Sequence, residues 1–170
     1  INFENTITSS ANLIINTRSA TFNDRVSSSG AITITGDATF ESSSSISSSG
    51  AISITGNAQL LGNIENAQRL SIGGTALLGA NIKTSGAQTY TGPVTLASDI
   101  ELTIQHTGGL GTIPLLEFNS TINSDDNTTK RNLTITGNPS FNDSITNIET
   151  LSITGDATFE SSSSISSSGA

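Results

Sequence analysis

The sequence predicts an all-β chain folded as a parallel β-solenoid, and three observations support this prediction. Eighteen residues from Ile34 to Ala51 (ITGDATFESSSSISSSGA) return unchanged as Ile153 to Ala170, 119 residues later. A large apolar residue recurs every 18 to 23 residues along the chain. Ser, Thr, Asn and Gly dominate the remaining positions, and these residues suit turns and the outer faces of strands. A sustained period of about 20 residues is typical of solenoids.

The recurring apolar residue is followed four to six residues later by a β-branched one. Because equivalent residues stack in a solenoid, we expect these two series to form two continuous interior ladders. The first ladder comprises Phe22, Phe40, Leu60, Leu78, Leu96, Phe118, Phe141 and Phe159. The second comprises Ile46, Ile64, Ile82, Ile100, Ile122 and Ile145.

Each coil of about 18 to 23 residues follows one template, seen clearly from Ile32 to Phe40 (ITITGDATF). Two apolar residues alternate with polar ones, and a glycine, a small residue and the large apolar residue follow. Strict alternation over a few residues predicts a short strand, and the glycine at a fixed place predicts a corner. The coils that begin at Ile52 and Leu70 repeat the template.

Two coils in the middle of the chain are longer than the rest. One gains a strand-like and glycine-rich run, residues 100–111, and the next gains the most polar run, residues 123–132. We expect both insertions to project as loops, because a coil can lengthen at a corner without disturbing the register of its strands. On this template the 119-residue repeat contains six coils, with residues 32–150 as one full unit. Residues 1–170 then form a single solenoid segment of a longer array.

Composition narrows the function classes. The net charge is −8 and the pI is near 4.3, which argues against nucleic acid and anionic membranes as partners. The chain has no cysteine, so it offers neither a disulfide framework nor a thiolate site. No apolar run is long enough to cross a bilayer, so we expect no membrane insertion in this segment.

The residue types that carry catalysis are scarce and scattered. His106 is the only histidine. Glu41 and Glu160 occupy equivalent positions of their coils, as do Asp37 and Asp156, which favours charges at the edges of ladders over a convergent acidic pair. We therefore expect no catalytic residue, no cofactor and no enzymatic activity.

Two segments were considered as cation sites. GGLGT, from Gly108 to Thr112, is similar to a calcium-binding turn, but Thr112 stands where that turn needs Asp. Asp125 and Asp126, with Asn123 and Asn127 beside them, could hold a cation weakly or could simply form a solvated loop. We expect no metal site. Four Asn-x-Ser/Thr sequons are frequent enough to arise by chance in this composition, although a surface glycan is an alternative; they lie at Asn119, Asn127, Asn132 and Asn142.

Hydroxyl residues flank the inward residue of several coils. The pairs are Thr33 with Thr35, Ser53 with Thr55, Thr89 with Thr91, Thr134 with Thr136, and Ser152 with Thr154. Ordered threonine ranks on a solenoid favour ice binding, but serines dilute these ranks and Gly73, Gly111 and Ile113 interrupt them. Ice binding is accordingly a minor alternative.

At residues Gln88 to Leu102 (QTYTGPVTLASDIEL), and in coils that open with LTITG, LSITG or ITITG, the chain resembles the repeat regions of filamentous-haemagglutinin-like adhesins. These are very large bacterial exoproteins secreted by two-partner or autotransporter routes. The resemblance implies a right-handed parallel β-helix that forms a stalk on the cell surface. This family's repeats carry no catalytic residues.

Two functions follow as expectations. In the first, the segment is a structural spacer of a bacterial cell-surface adhesin or extracellular fibre, whose partners are adjacent repeats of the same chain or neighbouring fibre subunits stacked end to end. In the second, the outer face binds a glycan, a host receptor or another filament through residues 100–111 and 123–132.

Overall fold

A computed structural model describes residues 1–105 and 115–167, and the regular secondary structure of these residues consists of β-strands alone. The chain winds through about eight turns of about 19 residues. Each strand pairs in parallel with the equivalent strand one turn earlier or later. The prediction of a parallel β-solenoid is therefore confirmed.

Twenty-two short strands build the solenoid. In chain order they are β1 (Asn2–Phe3), β2 (Ile7–Ser9), β3 (Leu13–Phe22), β4 (Val26–Ser28), β5 (Ile32–Phe40), β6 (Ser45–Ser48), β7 (Ala51–Ile54), β8 (Ala58–Leu60), β9 (Asn63–Ala67), β10 (Arg69–Ile72), β11 (Ala76–Leu78), β12 (Ile82–Thr84), β13 (Gln88–Tyr90), β14 (Val94–Leu96), β15 (Ile100–Ile104), β16 (Leu115–Phe118), β17 (Ile122–Ser124), β18 (Arg131–Thr136), β19 (Asn138–Phe141), β20 (Ile145–Thr154), β21 (Thr158–Phe159) and β22 (Ile165–Ser167).

Stacking arranges the strands in three walls. The first wall contains β7, β10, β13, β16, β19 and β21, with the first halves of β3 and β5. The second wall contains β1, β8, β11, β14, β17 and β22, with the second halves of β3 and β5 and the start of β20. The third wall contains β2, β4, β6, β9, β12, β15 and β18, with the end of β20.

Alternation places apolar side chains in one shared core between the walls. Along β7 and β14, for example, buried residues alternate with partly exposed ones, as period-two strands require. In the second wall, the rings of Phe3, Phe22 and Phe40 stack with centroids 5.0 and 4.5 Å apart. Like residues thus lie on like residues, which is how a solenoid buries coils too small to hold a core alone.

Corners between the first and second walls are tight and are held by side-chain amides and carboxylates. Gly36 has a φ of +109°, a backbone conformation that favours glycine. A Cβ atom added to Gly56, one turn later, would lie 2.6 Å from the carbonyl oxygen of Gly36. The next residue, Asn57, donates its backbone N–H to Asp37 Oδ1 at 2.8 Å, and its own Oδ1 accepts the N–H of Thr75 at 2.9 Å. The template glycine is needed because successive corners approach so closely.

The two predicted ladders are real but do not run the full length of the chain. Leu96 pairs with Ser124, whereas Phe118 pairs with Tyr90 in the first wall. The continuous first ladder therefore ends at Leu96, and the aromatic series resumes one wall away. From Tyr90 onwards the rings of the first wall stack with centroids 5.0 to 5.3 Å apart; they belong to Tyr90, Phe118, Phe141 and Phe159.

The second ladder breaks in the same turn. Ile82 pairs with Leu102, and Ile100 pairs with Leu133. Ile122 then lies in the second wall, against Val94, and Ile145 follows it there. The prediction of two unbroken ladders is wrong, because the fifth turn carries one more long strand than the template allows.

That extra strand is β15, which the sequence reading assigned to a projecting loop. Ile100, Leu102 and Ile104 are 2%, 0% and 5% exposed and fill the third wall. The second insertion is also shorter than predicted, since Ser124 closes β17 and Arg131 opens β18. Only residues 125–130 form a loop there. Residues 106–111 of the first insertion lie outside the described residues.

Shifting the strands by one wall also changes the turn count of the repeat. Successive pairings carry the column of Ile34 up to Phe141 in five turns, by way of Ile54, Ile72, Tyr90 and Phe118. Ile153, the repeat of Ile34, lies two walls beyond Phe141, in the third wall. The 119-residue repeat therefore spans five and two-thirds turns, not the six predicted.

Of the fourteen predicted ladder residues, thirteen are buried, with side chains at most 2% exposed. Phe159 is the exception at 44% exposed, because it lies in the last described turn with Phe141 on one side only. The choice of core residues from the sequence was thus sound even where their stacking order was not.

One level of the core is polar. Tyr90 is fully buried, and its hydroxyl donates to Gln88 Oε1 at 3.0 Å. Gln88 in turn donates from Nε2 to Thr84 Oγ1 and to the carbonyl oxygen of Thr103, both at 3.2 Å. Burial raises the pKa of the Tyr90 phenol above its ordinary value. This network sits in the turn just before the ladders change walls.

Candidate functional site

A polar groove lies on the outer face of the third wall and is the largest surface depression among the described residues, at about 520 Å³. Strands β9, β12, β15 and β18 form its floor by parallel stacking. Its polar lining consists of Asn63, Glu65, Asn81, Lys83, Glu101, Thr103, Gln105 and Thr136.

A bulge shapes one end of the groove. Ile64 pairs with Ile82 and Ala67 with Thr84, so β9 has an extra residue relative to β12. Asn66, within the bulge, has a φ of +59°, a left-handed conformation that Asn tolerates better than most residues. The bulge makes room for Glu65 beside Lys83 on the outer face.

The remaining groove residues are fixed by bonds between turns. Asn63 Oδ1 accepts the backbone N–H of Asn81 at 3.2 Å, and Asn81 Oδ1 accepts that of Glu101 at 2.8 Å. Thr103 Oγ1 donates to Glu101 Oε1 at 3.1 Å. Carboxylates, amides, a hydroxyl and one ammonium group are therefore held in order, which gives a surface with both donors and acceptors.

A second depression of about 240 Å³ extends the groove towards the loop at residues 125–130. It shares Asn81 and Glu101 with the groove and adds Asp99, Asn132 and Thr134. Asp99 accepts the backbone N–H of Asn132 at 2.9 Å and its Nδ2–H at 3.0 Å. These bonds, the backbone one above all, lower the pKa of Asp99 below its ordinary value. The polar surface thus continues over more than one strand position of the third wall.

The loop itself is tied to its surroundings. Asp125 forms a salt bridge with Arg131, with Oδ1 and Nε 3.0 Å apart. Asp126 accepts the backbone N–H and the hydroxyl of Thr128, and these bonds lower its pKa. Asn147 donates from Nδ2 to Asn127 Oδ1 at 2.9 Å. Both aspartates therefore have protein partners in place of the cation that the sequence allowed.

Within residues 1–105 and 115–167, no three His, Cys, Asp or Glu side chains come close enough together to hold a metal ion. His106 and the Gly108–Thr112 segment lie outside the described residues. The equivalent acids do not converge, since Asp37 accepts the N–H of Asn57 near the start of the chain and Asp156 lies near its end.

The sequon asparagines make hydrogen bonds with neighbouring turns. Asn142 donates from Nδ2 to Asn119 Oδ1 at 2.6 Å, and Asn132 Oδ1 accepts the hydroxyl of Thr150 at 2.6 Å. Asn127 accepts from Asn147, as described above. All four side chains thus take part in bonds between stacked turns.

The hydroxyl rank is short. On the first wall Thr33, Ser53, Ser71 and Thr89 stack in order, and Glu117 follows them. Thr134 and Ser152 lie on the third wall instead, above Glu101. The five hydroxyl pairs do not form one surface, and the ice-binding alternative gains no support from this arrangement.

Sequence reasoning missed most of the groove, naming only Glu101 and Gln105, as part of residues 100–111. A signal was present, because Asn63 and Asn81 are 18 residues apart and each stands just before an inward isoleucine. The same spacing would have found the bonds between turns. It would not have found Thr136, whose wall depends on the shift described above.

Comparisons with protein-family models, with curated proteins and with solved structures each found no match to this chain. In the part of the chain that the structure describes, no helix is long and apolar enough to cross a membrane.

Proposed function

We propose that this chain is a rigid spacer segment in the stalk of a bacterial cell-surface adhesin or extracellular fibre, and that it carries out no catalysis. One observation carries the proposal: the repeated segment joins the walls of the preceding unit without a break. Ile153 pairs with Ile135, and Phe159 pairs with Phe141, both in parallel. A further unit therefore lengthens the rod through the same contacts that hold each turn.

In this proposal the partners are adjacent repeats of the same chain or neighbouring fibre subunits stacked end to end, outside the cell. The likeness of the ITITG, LTITG and LSITG coils to filamentous-haemagglutinin-like repeats supports the surface location and secretion by a two-partner or autotransporter route. Stacked parallel strands suit a spacer, because each turn fixes the next over three walls.

The spacer function is tested by lengthening the chain. One or two copies of residues 34–152 inserted after Ser152 leave every junction unchanged, since Ile153 repeats Ile34. At about 4.8 Å per turn, each copy should add about 27 Å of rod in electron micrographs. An insert of 119 residues of Gly and Ser serves as a flexible control. Particles that fail to grow in equal steps, or that bend as freely as the control, would contradict the proposal.

A second candidate function is favoured by the groove on the third wall. Its ordered carboxylates, amides and hydroxyls match the donors and acceptors of a polyhydroxylated ligand, and the adjoining depression extends it along the surface. As a second proposal, this groove binds a glycan of a host or bacterial surface.

Glycan binding can be measured on an array of cell-surface oligosaccharides with the purified chain. The expected result is binding that falls at least tenfold in Lys83→Ala and Glu101→Gln but not in Arg18→Ala, which changes a charge outside the groove. Absence of binding across the array, or equal losses in all three variants, would remove the second function and leave the spacer untouched.

A further inference from the structure

Identical stretches of sequence lie on different walls of this solenoid. Ile34 is in the first wall, between Ile15 and Ile54. Its repeat, Ile153, is in the third wall, against Ile135. The shift holds along the repeated segment: Phe40 is in the second wall, whereas Phe159 is in the first. The second unit therefore starts one wall earlier than the first.

The offset comes from the length of the unit in turns. Five and two-thirds turns separate Ile34 from Ile153, so the chain stops one wall short of a whole sixth turn. Nothing in the second copy opposes this, because its inward residues meet apolar partners on their new walls. Phe159, for example, stacks on Phe141 with ring centroids 5.0 Å apart.

We infer that each 119-residue unit of this sequence rotates the next by one wall, a third of a turn. The same outer surface then returns to the same side of the rod only after three units, which complete seventeen turns. At about 4.8 Å per turn, three units span about 82 Å. The spacer proposal supplies only the number of units here, since the rotation itself lies within the present chain.

Rotation changes what a stalk presents to a partner. The groove lined by Lys83 and Glu101, and the loop at residues 125–130, would face one direction in the first unit. They would face a second direction in the next unit and a third in the one after. A partner that recognises either feature could therefore approach the stalk from any side. Successive bound copies would wind around the rod instead of lining one face, which gives several sites to a multivalent partner surface.

The register can be tested in the chain as it stands, which has no cysteine of its own. Outward residues in paired parallel positions lie about 4.8 Å apart, within the range of Cα separations that a disulfide bridges. Thr89→Cys with Glu117→Cys, and Thr95→Cys with Asn123→Cys, should form disulfides on oxidation, because these residues pair. Thr95→Cys with Glu117→Cys should not, since the two lie on different walls.

Thr33→Cys with Ser53→Cys is the positive control, from turns where template and structure agree. If this control forms a disulfide, cross-linking of the Thr95 and Glu117 variant in place of the Thr95 and Asn123 variant would overturn the inference. The same holds if the Thr89 and Glu117 variant fails to cross-link.

A second measurement observes the rotation directly. Chains lengthened by two copies of residues 34–152 would carry Thr128→Cys in each unit, coupled to biotin and marked with streptavidin. The labels should lie on different sides of the rod in successive units, each offset by about 27 Å along it. Labels aligned along one side would overturn the inference, yet such a rod would still lengthen in equal steps. The spacer proposal and the rotation can therefore fail separately.

Discussion

The buried hydroxyl of Tyr90 provides the sharpest test of how this core is packed. The side chain is fully buried, and its hydroxyl donates to Gln88 Oε1 at 3.0 Å. Tyr90→Phe removes the donor and leaves a buried amide oxygen without this partner. We expect the free energy of unfolding to fall by about 1–3 kcal/mol, the usual cost of a buried polar atom left unsatisfied.

The reciprocal change should cost a similar amount. Gln88 lies in the first wall between Leu70 and Leu116, so Gln88→Leu fits the apolar column but leaves the Tyr90 hydroxyl without its acceptor. The double variant removes both partners and places an aliphatic residue in an aliphatic column. We expect it to be about as stable as the native chain, within about 1 kcal/mol. The two changes should therefore be strongly non-additive.

Urea unfolding followed by far-ultraviolet circular dichroism measures each step of this cycle. Thr89→Ala, at the outward position between the two residues, is the matched control and should change stability by less than about 0.5 kcal/mol. If Tyr90→Phe is no more destabilising than the control, the hydroxyl is not in the described hydrogen bond. If the double variant loses the sum of the single losses, the two groups do not satisfy each other.

Alkali provides a further prediction, because burial raises the pKa of the Tyr90 phenol while the unfolded chain ionises near pH 10 or so. Above that pH the folded state keeps a proton that the unfolded state has lost, so the free energy of unfolding should fall by about 1.4 kcal/mol per pH unit, and Tyr90→Phe should abolish this part of the slope. Leu78→Ala should cost about 2–5 kcal/mol in urea unfolding, because the side chain is fully buried, whereas the neighbouring outward change Leu77→Ala should cost far less; equal losses would contradict the assigned faces. Gly56→Ala should destabilise by about 1–3 kcal/mol, since the new Cβ would meet the backbone of the preceding corner, and an unchanged thermal midpoint would argue against that close approach. Asn81→Ala should cost about 0.5–1.5 kcal/mol through the lost bond to the next turn, and faster amide exchange at Glu101 should accompany the loss; unchanged exchange there would refute the bond.

Much of this fold was readable from the sequence because a solenoid repeats its local rules. The 18- to 23-residue beat, the alternation along Ile32–Phe40 and the corner glycines depend on short stretches of chain. Side-chain parity within a strand then separates buried from exposed positions, which is why thirteen of fourteen predicted ladder residues are buried. The hand of the solenoid, by contrast, follows only from the resemblance and stays a prediction.

The groove was less predictable than the core. Its residues come from four turns, and which of them share a surface depends on the wall that each strand occupies. Lys83 lies opposite Thr103 only because β12 and β15 pair with Ile82 against Leu102. The bulge that sets Glu65 beside them leaves no clear trace in a sequence of polar residues.

Local pattern determined which residues of this chain face inward, but only the tertiary structure decided which of them stack. Ile100 and Leu102 are two positions apart, so both point into the core, and either could lie above Ile82 without exposing an apolar side chain. A slip of two residues preserves the inward and outward faces of a strand, and local alternation is therefore blind to it. The choice of Leu102 depends on the packing of strands far apart in the sequence, and it moves every later strand, including the repeated segment, by one wall.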